Sequence, residues 1–269
     1  MKLLAISLLA GLCAVMALAW VVQRQQRNAG WVDVFWSFGT GIGGAIAAMA
    51  PLPGVPLAWP TPRALLVGTL ALLWGARLGL YLTRRTLGGH REDVRYARFR
   101  QEWGASFQPK LFWLLMIQAL VAALLAFCVA VAARNPAPGV RLPDIAGIVV
   151  LVTALLGEAL ADRQMHGFRA DVKNRGRVCD TGLWGASRHP NYFFECLAWC
   201  AYPFFAIGPN WPWGFAALAG PVAMTWLLTR VSGIPPLERE MLADRGDAYR
   251  QYQAQVSAFV PLPSRRKTH

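Results

Sequence analysis

Strongly polar side chains interrupt the apolar segments of this sequence at Asp33, Arg77, Tyr81, Glu158, Asp162, Asn191 and Glu195. An ionisable group in an apolar helix is costly, so each needs a partner, a water-filled cavity or a function. Arg77/Tyr81, Glu158/Asp162 and Asn191/Glu195 are each spaced i, i+4, which puts both members of a pair on one face of a helix. Three polar faces near the same ends of their helices imply a shared polar cavity able to hold a polar ligand. Asp33 stands apart, in GWVDVFWSFG. A carboxyl in apolar surroundings holds its proton more tightly than in water and can then donate a hydrogen bond to a carbonyl oxygen. Read from the residues alone, Asp33 is either such a donor or a structural partner of an arginine such as Arg77.

The cations beside these groups are mainly arginines, among them Arg84, Arg85, Arg91, Arg95, Arg98, Arg169, Arg175, Arg177 and Arg188. The planar guanidinium fork suits phosphate oxygens, so a phosphorylated soluble cofactor or anionic lipid head groups fit this chemistry. His189 opens His-Pro-Asn, where Pro190 marks a helix start; it anchors that start or touches a cofactor phosphate. The five cysteines and four histidines form no zinc-like spacing, so no metal site is expected. Gly39 to Gly44 matches GxGxxG but lies within an apolar helix with no preceding strand, which reads as close helix packing instead of a dinucleotide loop.

The elements that position these residues follow from hydropathy. The chain is 55% hydrophobic and 15% charged, with mean hydropathy +0.35, more apolar than a soluble domain. Apolar runs at 3–22, 31–50, 62–82, 111–133, 143–162, 190–208 and 211–231 each approach the roughly 20 residues that span a bilayer. The expected fold is an all-α integral membrane bundle of about seven transmembrane helices, forming one domain over 1–269 with a tail from about 233. Of the 27 lysines and arginines, only Lys2, Arg63, Arg134 and Arg141 fall on one side of such a bundle, with Arg77 inside a helix. The remainder occupy the first, third and fifth loops and the tail, counted with Arg230 at the end of the last apolar run. The positive-inside rule then sets the N-terminus outside and the C-terminus in the cytoplasm. Net charge +13 is explained by this orientation, without a nucleic-acid partner. The first apolar run also resembles a signal peptide ending at Ala17-Leu18-Ala19. Its removal would force the arginine-rich third loop outside, so it is read as a retained first helix.

The stretch GLWGASRHPNYFFE (182–195), after EALADRQMHGFR (158–169), resembles the steroid 5-alpha-reductase C-terminal family in its bacterial, DUF1295-like branch, and more distantly the sterol reductases and isoprenylcysteine carboxyl methyltransferases. The likeness runs from about Asp33 to the tail. It implies a reductase of the bacterial inner membrane, its NADPH site facing the cytoplasm, that reduces a carbon–carbon double bond conjugated to a ketone in a steroid-like lipid. By resemblance, Asn191 and Glu195 hold the nicotinamide end. Asp162, with Glu158 where the family has asparagine, contacts the adenosine half, Arg169 and Arg177 lie near the phosphates, and Arg77 and Tyr81 form another cofactor-facing pair. By resemblance Asp33 matches the family's glutamate that binds the substrate carbonyl and is the candidate general acid, and Trp74 stands where the family has a tyrosine.

Two other readings compete. A methyltransferase using S-adenosylmethionine shares the Arg-His-Pro-x-Tyr signature but needs fewer phosphate-binding arginines. A carrier would line a path with intramembrane charges, yet these polar pairs gather toward one face, whereas a carrier's sites lie near the midplane.

Overall fold

The computed structural model describes residues 1–51, 59–88 and 93–263. His90, Arg91, most of the proline-rich turn after Met49, and the cations Arg265, Arg266 and Lys267 lie outside the described residues. Regular structure among the described residues is helical: α1 (Lys2–Gln26), α2 (Gly30–Met49), α3 (Pro62–Gly88), α4 (Val94–Trp103), α5 (Phe107–Ala133), α6 (Leu142–Ala170), the single turn α7 (Leu183–Ala186), α8 (Pro190–Ala206), α9 (Ala219–Trp226), α10 (Ile234–Arg245) and α11 (Asp247–Gln255). Six helical runs among the described residues are long and apolar enough to cross a bilayer: α1, α2, α3, Arg95–Ala133, α6 and Pro212–Arg245. The seventh expected segment is α8, 17 residues long with Pro203 inside it.

The run expected at 211–231 is not one uniform α-helix. It begins as a 3-10 helix over Pro212–Leu218, becomes α9, and ends in a π-helical turn at Leu227–Val231. Prolines at 212 and 221 remove backbone donors there. Gly214 lies so close to the Ala206 carbonyl that no side chain fits.

The chain divides into two compact units, Met1–Gly147 with Tyr202–Gly220, and Ile148–Ala201 with Pro221–His269. In the first, α1 buries Leu4, Leu8, Leu12, Met16 and Ala19, a stripe at four- and three-residue spacing. This stripe joins Leu111, Leu115, Ala119 and Ala122 of α5 in one core cluster. Leu3, Ile6 and Leu18 on the opposite side are exposed, as suits a helix facing lipid. α2 and α3 meet backbone to backbone, since a Cβ on Gly41 would stand 2.8 Å from the Gly75 Cα, and the reverse holds for Gly75. Gly39 and Gly43 face Val15 and Leu12 of α1, while Gly44 faces Ala71 and Val129. The GxGxxG match thus serves three helix contacts, in line with its reading as packing.

The arginines that depart from the charge asymmetry have structural work at helix ends, where carbonyls lack intrahelical partners. Arg134 donates to the carbonyls of Ala47 (2.8 Å) and Ala50 (2.9 Å) at the end of α2, and to Ala130 (3.0 Å) in α5. Arg141 donates to Phe205 (2.8 Å) and Ile207 (2.9 Å) at the end of α8, joined there by Asn135. Asp144 binds Arg63 (2.5 Å) and Arg141 (2.8 Å) together. Arg134→Ala is expected to cost about 2 kcal/mol, from carbonyls left without partners. A lowered thermal midpoint in detergent, partly restored in Arg134→Lys, is the measurement; an unchanged midpoint would refute this capping role.

Two stretches expected as plain polar connections are structured. The third loop contains α4, whose Tyr96, Phe99 and Trp103 pack with the α1/α5 core. The residues after 233 form α10 and α11, and these dock within the second unit. Tyr252 donates to the Trp184 carbonyl (2.5 Å), Ser187 Oγ to Phe259 (2.8 Å), and Arg188 Nη1 to Val256 (2.6 Å). The Leu262 amide reaches the Ala186 carbonyl at 2.9 Å.

Candidate functional site

Within the second unit, the end of α6, the loop after it, the start of α8 and helices α10 and α11 surround a cleft of about 310 Å³. Arg169 reaches it from the last turn of α6. Arg175 and Arg177 reach it from a turn built around Gly176, whose φ of 78° favours glycine. That turn is held by Asn174, which donates to the Phe168 carbonyl at 3.0 Å, and by Asp171, which accepts from the Lys173 amide at 2.9 Å. None of these three arginines has an ion-pair partner among the described residues. Arg188 and Arg245 also line the cleft.

His189 is buried against it. Its Nε2 lies 3.1 Å from Glu238 Oε1, which Arg188 Nε also meets at 2.7 Å, while Glu238 Oε2 accepts from Gln253 at 2.9 Å. His189 Nδ1 is buried with no hydrogen-bond partner among the described residues. A buried polar atom left over beside a cleft of cations is a place for a ligand's polar group. Tyr249 and Tyr252 complete a wall. Burial, foremost, raises both phenols well above their ordinary value, so they stay neutral. Burial likewise raises the Cys179 thiol, so this lining cysteine stays uncharged near neutral pH.

Asn191 and Glu195 follow on α8, which starts at Pro190. Glu195 Oε1 accepts from Trp199 Nε1 at 2.9 Å, one turn on. α6 approaches α8 where Gly157 lies against the Phe194 ring with no room for a Cβ. The Trp184 indole donates to the Ala161 carbonyl at 3.0 Å, and the Leu183 amide to Gln164 at 2.9 Å. These contacts hold the α6 segment bearing Glu158 and Asp162 beside α7 and α8. Both carboxyls are buried, as is Glu195. Asp162 lies seven residues before Arg169, two turns along the same side of α6. The structure therefore gathers Arg169, Arg177 and His189 around one cleft, with Asn191, Glu195, Glu158 and Asp162 on the helices leading from it.

Asp33, Arg77 and Tyr81 belong to the first unit. Asp33 is engaged by Arg95 as an ion pair, and by the Tyr96 hydroxyl, which donates to Oδ1 at 3.0 Å. Its arginine partner is thus Arg95 of α4, and Arg77 instead lies over the Tyr81 ring at 5.7 Å. Trp74 is buried, edge-on to Trp36. Asp93 caps α4 and draws Arg85 and Arg95 together. Burial works to raise its carboxyl, but the two guanidiniums prevail and leave it at about 2. Tyr96 was missed in the sequence because it sits in a charge-rich loop. The signal that could have found it is the aromatic spacing Tyr96, Phe99, Trp103 at i, i+3, i+7, a helical stripe inside that loop.

Long apolar helices, glycine-mediated crossings and buried polar side chains define a helical integral membrane protein, and its second unit carries a basic cleft closed by its own C-terminal helices. Residues 19–256 match the family described as DUF1295, a protein family of unknown function, and the chain belongs to that family. It is also similar to a Schizosaccharomyces pombe protein described as uncharacterized protein C594.04c, at 26% identity over 275 residues that cover 90% of this chain and 75% of the yeast protein. The comparison with solved structures returned no match.

Proposed function

We propose that this protein is an NADPH-dependent membrane reductase of the double bond conjugated to a ketone in a steroid or steroid-like lipid. The observation that carries the reading is the gathering of Arg169, Arg177 and His189 around a single cleft. Arg169 and Arg177 are the residues that the resemblance to the steroid 5-alpha-reductase family assigns to the cofactor's phosphates, and His189 opens the helix beside them. The guanidiniums of Arg169, Arg175 and Arg177, without ion-pair partners among the described residues, suit a phosphorylated dinucleotide in their donor chemistry. We further place seven membrane helices, α8 included, with the N-terminus outside and the cleft open to the cytoplasm of a bacterial inner membrane, on the charge asymmetry.

When bound, NADPH supplies the hydride. In this reading Arg169 and Arg177 hold the phosphates, and Asp162 with Glu158 binds the adenosine half. Asn191 and Glu195, one turn apart on α8, orient the nicotinamide carboxamide through a donor and an acceptor. The resemblance adds Arg77 and Tyr81 as a further cofactor-facing pair. Asp33 polarises the substrate carbonyl, and the Tyr96 hydroxyl, whose one proton goes to Asp33 Oδ1, orients that carboxyl. The apolar helices exclude water.

The test is direct. NADPH should raise the thermal midpoint of the detergent-purified protein and be consumed with a 3-keto-4-ene steroid such as progesterone. Stabilisation by S-adenosylmethionine but not NADPH, with no turnover, would replace the reductase by a methyltransferase.

A further inference from the structure

We propose that the cleft in the second unit selects a ligand bearing a phosphomonoester, and that Arg245, brought by the C-terminal helix α10, makes the selection. The inference rests on the dinucleotide reading above for the ligand's identity. It concerns a residue that the sequence placed in a simple tail.

Arg188 is committed to Glu238, which leaves Arg169, Arg175, Arg177 and Arg245 around the cleft. Arg245 meets its chain neighbour Asp244 only through Nε, at 2.9 Å, and that carboxylate is 63% exposed. The terminal nitrogens of the guanidinium fork remain for a ligand. A pyrophosphate diester carries about two negative charges and could be held by two arginines. A phosphomonoester adds about 1.5 to 2 more near neutral pH, and four guanidiniums then match both groups together.

Arg245 Nη1 is the atom nearest the open side of Gly176, 3.8 Å from where a Cβ would stand. It therefore approaches the turn that carries Arg175 and Arg177 on either side of that glycine. Like charges brought together from two separate chain segments repel, and an anion between them removes the repulsion and forms charge-assisted hydrogen bonds. With Arg169 and Arg177 assigned to the pyrophosphate, Arg175 and Arg245 are left facing a second phosphate. His189, 2% exposed with Nδ1 unpartnered among the described residues, independently marks the cleft as built for a polar ligand. The C-terminal helices are then part of the binding site, and Arg245 is its specificity-determining residue.

Dissociation constants for NADPH and NADH, measured by thermal shift on the full chain in detergent, test this with wild type, Arg245→Gln and Arg245→Lys. Wild type is expected to prefer NADPH by about a hundredfold, and Arg245→Gln to lose about tenfold of that preference with NADH binding unchanged. Arg245→Lys should keep part of it, because charge remains without the fork. If wild type prefers NADPH and Arg245→Gln keeps the same ratio, the proposal fails while the reductase reading stands. Equal weakening of both dinucleotides would make Arg245 a structural residue and overturn the proposal. Binding of neither dinucleotide by wild type would overturn both. Competition of NADPH by vesicles rich in phosphatidic acid, but not by inorganic phosphate or phosphatidylcholine vesicles, would assign the cations to a lipid head group and likewise reject it.

Discussion

Glu195→Ala should lower NADPH-dependent turnover of a 3-keto-4-ene steroid by about a hundredfold or more, the scale of removing one positioned hydrogen-bonding group from a water-poor site. Glu195 is buried in α8 one turn after Asn191, and its Oε1 accepts from the Trp199 indole. Alanine would leave that indole without this acceptor, at a cost of about 1 to 3 kcal/mol, so lost activity could reflect lost folding. Glu195→Gln separates the two effects. The amide oxygen can still accept from Trp199, and the thermal midpoint should stay near wild type. Turnover should nevertheless fall, because the amide replaces a carboxylate acceptor by a group that also donates toward the cofactor carboxamide. Wild-type rates in both variants would remove Glu195 from the nicotinamide site.

Gly41→Val should produce the largest loss of stability, about 3 kcal/mol or more. The new Cβ would stand 2.8 Å from the Gly75 Cα and 2.9 Å from the Ala71 carbonyl oxygen. Both obstacles are backbone, so α2 and α3 must separate along their whole crossing. Without a hydrophobic driving force between helices in lipid, close backbone packing is much of what holds them. Gly11 is the control, since a Cβ there meets nothing within 4 Å. A collapse of the monodisperse peak and thermal midpoint in Gly41→Val, with Gly11→Ala unaffected, is the expected pattern. Equal behaviour of the two variants would show that the crossing tolerates separation.

Much of the frame was legible because lipid imposes a simple code. Apolar segments of about 20 residues announce helices, and α1, α2, α3, α5 and α6 lie where hydropathy put them. Small residues at helical spacing announced close crossings, which Gly41 and Gly75 make. The boundaries of the last segment were not legible, because prolines and backbone crowding at Gly214 turn an apolar run into three kinds of helix. Arg134 and Arg141, off the positive side and counted as exceptions, proved to be caps: carbonyls at helix ends need donors whichever side of the membrane they face.

The candidate site divides in the same way. Residue types and i, i+4 spacing alone singled out Glu158/Asp162 and Asn191/Glu195 as polar faces on helices, and the arginines as anion-binding chemistry. These are properties of a single helix or of a side chain's charge, so the local sequence carries them. Only the tertiary structure decided that Asp33 pairs with Arg95 and Tyr96, some sixty residues away, instead of with Arg77. Only it decided that the segment after Ile234 folds back to bring Arg245, Tyr249 and Tyr252 to the same cleft as Arg169 and Arg177. Those juxtapositions depend on long-range hydrogen bonds such as Tyr252 to Trp184 and Arg188 to Val256. Their partners are set by the path of the whole chain, and no local periodicity records it.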